Sequence, residues 1–576
     1  MPALDKILYE SKDIWIIGGY MRRFVIVLVL VGSLVMPLPA ALAQRKGGKA
    51  TAAAATASAS RHGAEQITAE QMKAYLTFIA SDEMEGRDTP SRGLDTTAKF
   101  IAMNLSRWGY KPAGDDGTYF QKIALRREKV DAAQSKLEIN GQSFTAGQDF
   151  IPFAPPGGTM SISGAVVYGG NGWFIKSKNI DPYQGMDVKD KIVVINTRDG
   201  LPKGISRSDL TGRRGVDWDD PATYAQKRGV KALLAMPDFQ MMSNWERSRR
   251  QIMERAAAFV EKFHAQDGPQ VQRVIISPQM SAALFQGEAH SATEIFEAAD
   301  AGAPLAAFEL KADKRAQINV VAKPEMLTTQ NVVAVFEGSD PVLKNEYVAV
   351  GAHYDHVGVG VPVNGDAIYN GADDDGSGTT AILAMAEALA KTSPRPKRSV
   401  LFVWHCGEEK GLWGSQYFTQ FPTLPLASIV TQLNIDMIGR SRQEGDTTPA
   451  NKELSGPNEI YVIGSKMMST ELGALSERVN ASFLNLNFNY KYDDPADPNR
   501  FFFRSDHFNY AQKGIPIIFY FDGVHEDYHR PGDEVSKIDF QKMEKVTRTV
   551  YLTLWEIANS PQRPRVDKQL PAGLKN

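Results

Sequence analysis

The chain has 576 residues, 43% hydrophobic and 23% charged, with a formal net charge of −2. This is an ordinary globular balance with material for two folded domains, and the near-neutral charge without a dominant basic patch excludes a nucleic-acid binder held by bulk electrostatics. The single cysteine, Cys406, excludes an intramolecular disulfide, so a large core has to supply the stability.

Residues 1–43 have the pattern of a targeting segment, with Met21 as the more natural start. Arg22 and Arg23 form a positive region, and Phe24–Met36 is an apolar run too short to favour a membrane span. Ala41-Leu42-Ala43 then offers a small-x-small cleavage site before Gln44. The pattern predicts export with no stable membrane span after cleavage. Residues 44–65 are rich in Ala, Ser and Gly and are expected to form a flexible linker.

Residues 66–129 open a folded region. ITAEQMKAYLTFIASDE has apolar residues at helical spacing. LDTTAKFIAMNLSRWGYKPAG is a second helix with Phe100, Ile101, Leu105 and Trp108 on one side and a stop at Gly109. From 130 to 310 the texture changes to short strands with Gly-rich turns, such as KLEING, GAVVYGG and KDKIVVINT. ATYAQKRGVKALLAM runs from helix to strand, and VQRVIISPQMSAALFQG from strand to helix. This span is expected to be an inserted, strand-rich domain.

Residues 311–576 return to strand–helix–strand. EYVAVGAHYD, RSVLFVWHCGEE, IVTQLNIDMIG and IPIIFYFDG are strands, the second a continuous apolar run suited to burial on both faces. The last helix, DFQKMEKVTRTVYLTLWEIA, carries a stripe of Phe540, Met543, Val546, Val550, Leu554 and Ile557. The expected fold is an α/β sandwich around a mixed, mostly parallel sheet, whose working residues sit where strands end.

Polar residues do collect there. His353, Asp355 and His356 follow one strand, His405, Glu408 and Glu409 another, and Asp436 a third. Ser505, Asp506 and His507 lie in RFFFRSDHF, Tyr528 and His529 follow the last strand, and six of the nine histidines fall between 353 and 529. Asp373, Asp374 and Asp375 stand directly before a helix. Helix capping accounts for one or two of them. A calcium loop fails, because Ala384 stands where a bidentate Glu is needed. A bridging metal ligand accounts for the crowding, since a dication neutralises packed acids. Histidine and carboxylate ligands without thiolates suit Zn²⁺, with Mn²⁺ or Co²⁺ as weaker alternatives. Glu408 and Glu409, adjacent on an extended segment, point in different directions, so one can bind metal while the other reaches water.

GAHYDH, GADDDGSG, CGEEKGLWGS, LNIDMIG and YHRPGDEV occur in this order. Together they resemble the motifs of the M28 family of co-catalytic zinc peptidases, which includes secreted bacterial aminopeptidases. DPYQGMDVKDKIVVI and RGVKALLAM resemble a protease-associated (PA) domain inserted at 130–310. The resemblance implies a three-layer zinc-exopeptidase sandwich and two Zn²⁺ per chain. His353 and Asp436 would hold one ion, Glu409 and His529 the other, and Asp374 would bridge them, joined to Asp375 by a cis peptide. Asp355 would orient His353, and Glu408 would be the general base on the metal-bridging water. Tyr528 would donate to the oxyanion, with packing at a strand end as the alternative, and Asp506 and His507 would line the substrate site, with a loop-bracing Asp–His pair as the alternative. His405-Cys406 departs from the family's usual small residue and Thr; a satisfied buried His and a small buried thiol are the expectation. The function implied is a secreted or periplasmic bacterial aminopeptidase acting on peptide or protein substrates. A glutaminyl-peptide cyclotransferase-like enzyme shares the fold but generally keeps one zinc, and a non-catalytic binding protein would show lost ligands; the full ligand set argues against both.

Overall fold

The structure, a computed structural model, describes residues 58–155, 158–196, 200–202, 204–264, 270–494 and 496–568. The predicted targeting segment and linker residues 44–57 lie outside them. Linker residues 58–65 are helical, a correction to the expected flexibility. Ala59 and Ala64 are buried, and a Cβ on Gly63 would fall 2.0 Å from the Tyr551 hydroxyl. The small residues that read as low complexity are what lets this segment approach the C-terminal helix closely.

Helix α1 (Ala69–Ile79) starts in a capping box, with Thr68 accepting from the Gln71 N–H and Gln71 reaching back. Helix α2 (Arg92–Arg107) is capped by Ser91 and buries Ile101 and Leu105; Gly109 follows at φ +77°. Strand β1 (Phe120–Val130) then leads into the inserted body. There β2 (Lys136–Ile139) is followed by β3 (Thr159–Tyr168), β4 (Ile192–Ile195), β5 (Ala232–Ala235) and β6 (Gln272–Ile276). The last four lie parallel in that order and enclose their own apolar cores. The chain returns along β7 (Arg315–Phe336), a 22-residue strand. Its first part pairs with β2 and β3, and its later part pairs antiparallel with β1, so one strand ties the insert to the main sheet.

The main sheet is completed by β8 (Tyr347–His353), β11 (Ser399–His405), β12 (Ile429–Ile435), β13 (Glu459–Ile463) and β14 (Ile517–Phe521); β9 (Gly358–Val363) and β10 (Asp366–Tyr369) form a separate hairpin. Across the sheet the order is β1–β7–β11–β8–β12–β14–β13, with β11, β8, β12 and β14 mutually parallel. The period-2 alternation of a strand sorts side chains to two layers. Val348, Val350, Phe402 and Trp404 face α1, α2, α3 (Gly376–Lys391) and a long C-terminal helix, Phe540–Asn559. Ala349, Leu401 and Val403 face α4 (Trp413–Gln420) and α5 (His507–Gln512). Every residue of β11 and β12 is therefore buried, as expected of strands covered on both sides. The result is a three-layer α/β sandwich whose parallel strands deliver His353, His405 and Asp436 to one edge.

That edge is braced by Arg87, which is fully buried. Its Nε donates to the Tyr354 carbonyl at 3.0 Å, Nη1 to Ile79 at 2.8 Å and Asn370 at 2.7 Å, and Nη2 to Gly371 at 2.8 Å. One guanidinium thus ties the end of α1 to the turn after β8 and the turn before α3. Burial lowers its pKa to about 10, so it stays charged at neutral pH. Replacing it strands four buried carbonyls. Arg87→Met is expected to lower stability by roughly 3 kcal/mol or more, read as the shift of the denaturant midpoint; an unchanged midpoint would show that the brace contributes nothing.

Candidate metal centre

The three adjacent acids do three different jobs. Asp375 is the N-cap of α3. Its Oδ1 accepts from the N–H groups of Gly378 (2.9 Å) and Met437 (3.1 Å), and its Oδ2 from that of His353 (3.1 Å). A side chain at Gly378 would collide with this carboxylate, at 2.4 Å from Oδ1. Asp373 accepts from the Gly439 N–H at 2.6 Å and lies 3.3 Å from His525 Nε2. Both carboxylates are used inside the protein. Asp374, joined to Asp375 by a cis peptide, is different. Its Oδ1 is 3.3 Å from His353 Nε2, while its Oδ2 is 3.1 Å from His529 Nε2 and 3.7 Å from His356 Nδ1.

Two groups of donor atoms therefore meet at one carboxylate. On the Oδ1 side, His353 Nε2 is 3.6 Å from Asp436 Oδ1 and 3.9 Å from Glu408 Oε2. On the Oδ2 side, Glu409 Oε2 is 3.1 Å from His529 Nε2, and Glu409 Oε1 is 2.9 Å from His356 Nδ1. Glu408 and Glu409 reach opposite sides because Gly407, at φ +67°, turns the chain sharply after β11. His353 Nδ1 lies 3.2 Å from the Asp355 carbonyl and 3.6 Å from its Oδ1, and that same Oδ1 accepts from the Glu408 N–H at 3.2 Å. Asp355 thus aligns both a ligand candidate and the base candidate.

Several of these atoms are buried with no hydrogen-bond partner: His353 Nε2, His356 Nδ1, Asp374 Oδ2 and Glu409 Oε1. Orphaned buried donors and acceptors are costly, and here they converge. Nitrogen and carboxylate oxygen without thiolate is a donor set that fits zinc. His353, Asp375 and Asp436 are close enough to share an ion, as are His356, Asp374 and Glu409. Asp375 is already engaged by three backbone amides, so Asp374 is the carboxylate left for both groups. The Cys406 thiol is buried, and burial pushes its pKa up, leaving it neutral.

The electrostatics agree. Burial pushes the Asp374 carboxyl up, but His353, His356 and His529 outweigh it and hold it well below the usual range. Glu409, raised by burial and by Asp374, is brought to about 2 by His356 and His529. Burial lowers His529, yet Asp374 and Glu409 raise it to about 10. For Glu408 burial, helped by Asp436 and Glu409, outweighs the opposing pull of His353 and lifts its carboxyl well above the ordinary value.

A pocket opens beside these residues, walled by Met437, Phe501, Phe519, Phe521 and Val524, with Glu408, Asp436, Arg504 and Tyr528 also lining it. Tyr528 stacks on His529 with ring centroids 3.9 Å apart. Asp506 and His507 do not line this pocket, contrary to expectation. His507 stacks on Phe519 and its Nε2 meets the Phe502 carbonyl at 2.9 Å; burial lowers its pKa to about 3, so it is a neutral packing group. Asp506 is buried 3.4 Å from His405 Nδ1, and His405 Nε2 lies 3.0 Å from the Tyr510 hydroxyl. Sequence reasoning placed His356 near the site and missed Arg87 and Asp533. Asp533 accepts from the N–H groups of Asp373 and Asp374, each at 3.1 Å, and so positions the Asp374 backbone. Its signal was its place in YHRPGDEV.

Residues 331–554 match the family model for Peptidase family M28, a span holding all of these groups except Arg87. A probable zinc metalloprotease from Pyrenophora teres f. teres is 31% identical over 273 residues, covering 42% of this chain and 54% of that protein. Leucine aminopeptidase 2 from Trichophyton rubrum is 28% identical over 280 residues, covering 44% and 50%. The chain spans about half the length of the curated relatives it matches. Among solved structures, an aminopeptidase from Aneurinibacillus sp. strain AM-1 aligns over 89% of this chain and 98% of that one, with 18% identity and a TM-score of 0.48.

The division of labour among the acids is testable without any metal. Asp375→Ala removes the acceptor of three buried backbone amides and is expected to destabilise metal-free protein by roughly 3 kcal/mol or more. An unfolding free energy within about 0.5 kcal/mol of the parent would show that the carboxylate is not a structural brace.

Proposed function

We propose that this chain is a zinc-dependent aminopeptidase that hydrolyses the N-terminal bond of peptides. The observation that carries the proposal is Asp374, whose two oxygens face two separate sets of imidazole and carboxylate donors. The match to Peptidase family M28 and the similarity to a zinc metalloprotease and a leucine aminopeptidase support it. His353, Asp374 and Asp436 would hold one zinc, and Asp374, Glu409 and His529 a second. When bound, the metal supplies Lewis-acid polarisation of the scissile carbonyl and makes water acidic enough to ionise near neutral pH.

The remaining steps belong to the chain. Glu408 borders the pocket, and its raised carboxyl suits a group that takes a proton from the attacking water and returns it to the leaving amine. Asp355, bonded to the Glu408 amide and facing His353, keeps that base in register. Burial pushes the Tyr528 phenol up, keeping it protonated, so its hydroxyl donates to the oxygen that gains charge. The wall of Phe501, Phe519 and Phe521 accepts an apolar side chain. The proposal includes export, which the Arg22–Ala43 pattern supports, and a PA-type role for the insert at 130–310. Among the described residues no helix is long and apolar enough to cross a membrane.

The test is a panel of aminoacyl anilides and N-blocked peptides, assayed before and after chelation and zinc return. Hydrolysis confined to free N-termini, lost on chelation and restored by zinc, is expected. Equal cleavage of blocked peptides, or indifference to chelation, would refute the proposal. Glu408→Gln is expected to keep its metal while kcat falls about 10²–10⁴-fold. Tyr528→Phe is expected to lower kcat about 10²–10³-fold with little change in KM; a pure KM effect would assign Tyr528 to substrate packing instead.

A further inference from the structure

His356 was expected to be a neighbour of the site. Its surroundings indicate more. It lies just past the end of β8 and is wholly buried. Its backbone N–H donates to the Arg87 carbonyl at 3.2 Å, so the main chain is pinned. Its Nδ1 is 2.9 Å from Glu409 Oε1 and 3.7 Å from Asp374 Oδ2, and its ring stands edge-on to His529 with centroids 5.7 Å apart.

A buried imidazole nitrogen 2.9 Å from a carboxylate oxygen would ordinarily share a hydrogen bond. Here Nδ1 and Oε1, although in contact, are both buried without a hydrogen bond of good geometry. Two buried heteroatoms in contact without a hydrogen bond, with a third donor from Asp374 close enough to share an ion with them, are what ligands of one cation look like. With Zn–N and Zn–O bonds near ~2.1 Å, tetrahedral ligands stand about 3.4 Å apart. His356 Nδ1 lies 3.7 Å from Asp374 Oδ2 and 2.9 Å from Glu409 Oε1, and His529 Nε2 lies 3.1 Å from Asp374 Oδ2 and 3.1 Å from Glu409 Oε2, distances that bracket that value.

We propose that His356 binds metal through Nδ1, making the ion on the Glu409–His529 side a two-imidazole, two-carboxylate site and leaving the ion on the His353–Asp436 side with a single imidazole. The inference rests on the two-ion reading above. Its consequence is an unequal pair. Asp375 cannot restore the balance, since its oxygens are taken by the amides of His353, Gly378 and Met437. Imidazole suits zinc better than carboxylate alone, so the Glu409–His529 ion is the retained one and the His353–Asp436 ion exchanges first.

The experiment uses the zinc-loaded full chain, dialysed against graded chelator, with zinc counted by mass spectrometry and the cobalt-substituted protein followed by visible absorption. Wild type is expected to lose its ions in two separated steps. In His356→Ala the later step should move by more than about 100-fold in chelator, beyond the ~10–100-fold cost of losing a residue that only orients a ligand, and the cobalt spectrum should change. His356→Gln, which keeps a polar group in the buried position, is the second variant should alanine fail to fold; it is expected to show the same shift. A folded variant that releases both ions as wild type does, or shifts by under 100-fold with an unaltered cobalt spectrum, overturns the assignment. A wild type holding one ion that is lost on substituting His356 keeps the assignment and overturns the pair; a wild type holding none overturns both.

Discussion

The structure turns on one carboxylate. Asp374 is buried, its two oxygens point to opposite sides, and each meets imidazoles and further carboxylates. Two like charges 4 Å apart repel by about 4 kcal/mol at the effective dielectric of a protein. Asp374, Glu408, Glu409 and Asp436 are close enough to raise one another's carboxyls, and burial adds its own penalty to each ionised form. Counter-charge has to come from somewhere. Without metal it comes from protons on histidine, which is why His529 rises to about 10 and His353 rises despite burial. A dication supplies the same charge while using the nitrogen lone pairs, so protons and metal compete for one set of atoms. Metal affinity is therefore expected to fall as lower pH fills these nitrogens with protons.

Such a cluster needs a scaffold that holds it against its own repulsion. The parallel strands β8, β11 and β12 end together, and their burial on both faces leaves little freedom at those ends. Backbone contacts do the rest. Arg87 gathers four carbonyls, Asp533 two amides and Asp375 three. Arg87, Met437 and His529 adopt left-handed φ values of 51°, 59° and 55°, uncommon for such residues and typical of sites where the surroundings dictate the backbone. The candidate ligand side chains are thus aimed by main-chain contacts in the turns around the strand ends.

Much of this could be read from the chain. Apolar runs such as VLFVW announced buried strands, and polar residues just past them marked the working edge. The facing of His353, Asp374, Asp436, Glu409 and His529 followed from family motifs. What could not be read depends on contacts remote in sequence. Arg87 sits in EMEGRD, which resembles any solvated turn until its carbonyl partners, up to 284 residues away, are known. The separate roles of Asp373, Asp374 and Asp375 are set by which amides approach them, not by their spacing. Asp506 and His507 looked like pocket residues because SDHF resembles a pocket-forming segment of the family, yet one pairs with His405 and the other stacks on Phe519. Residues 58–65 looked unstructured because their helix is stabilised by close tertiary packing more than by propensity.

The most direct measurement of the central claim is the metal content of folded wild type and Asp374→Ala after gel filtration. Because both ions would share this one carboxylate, the account predicts two zinc ions in wild type and marked loss of both in the variant. Two ions retained in folded Asp374→Ala, or none in folded wild type, would contradict it.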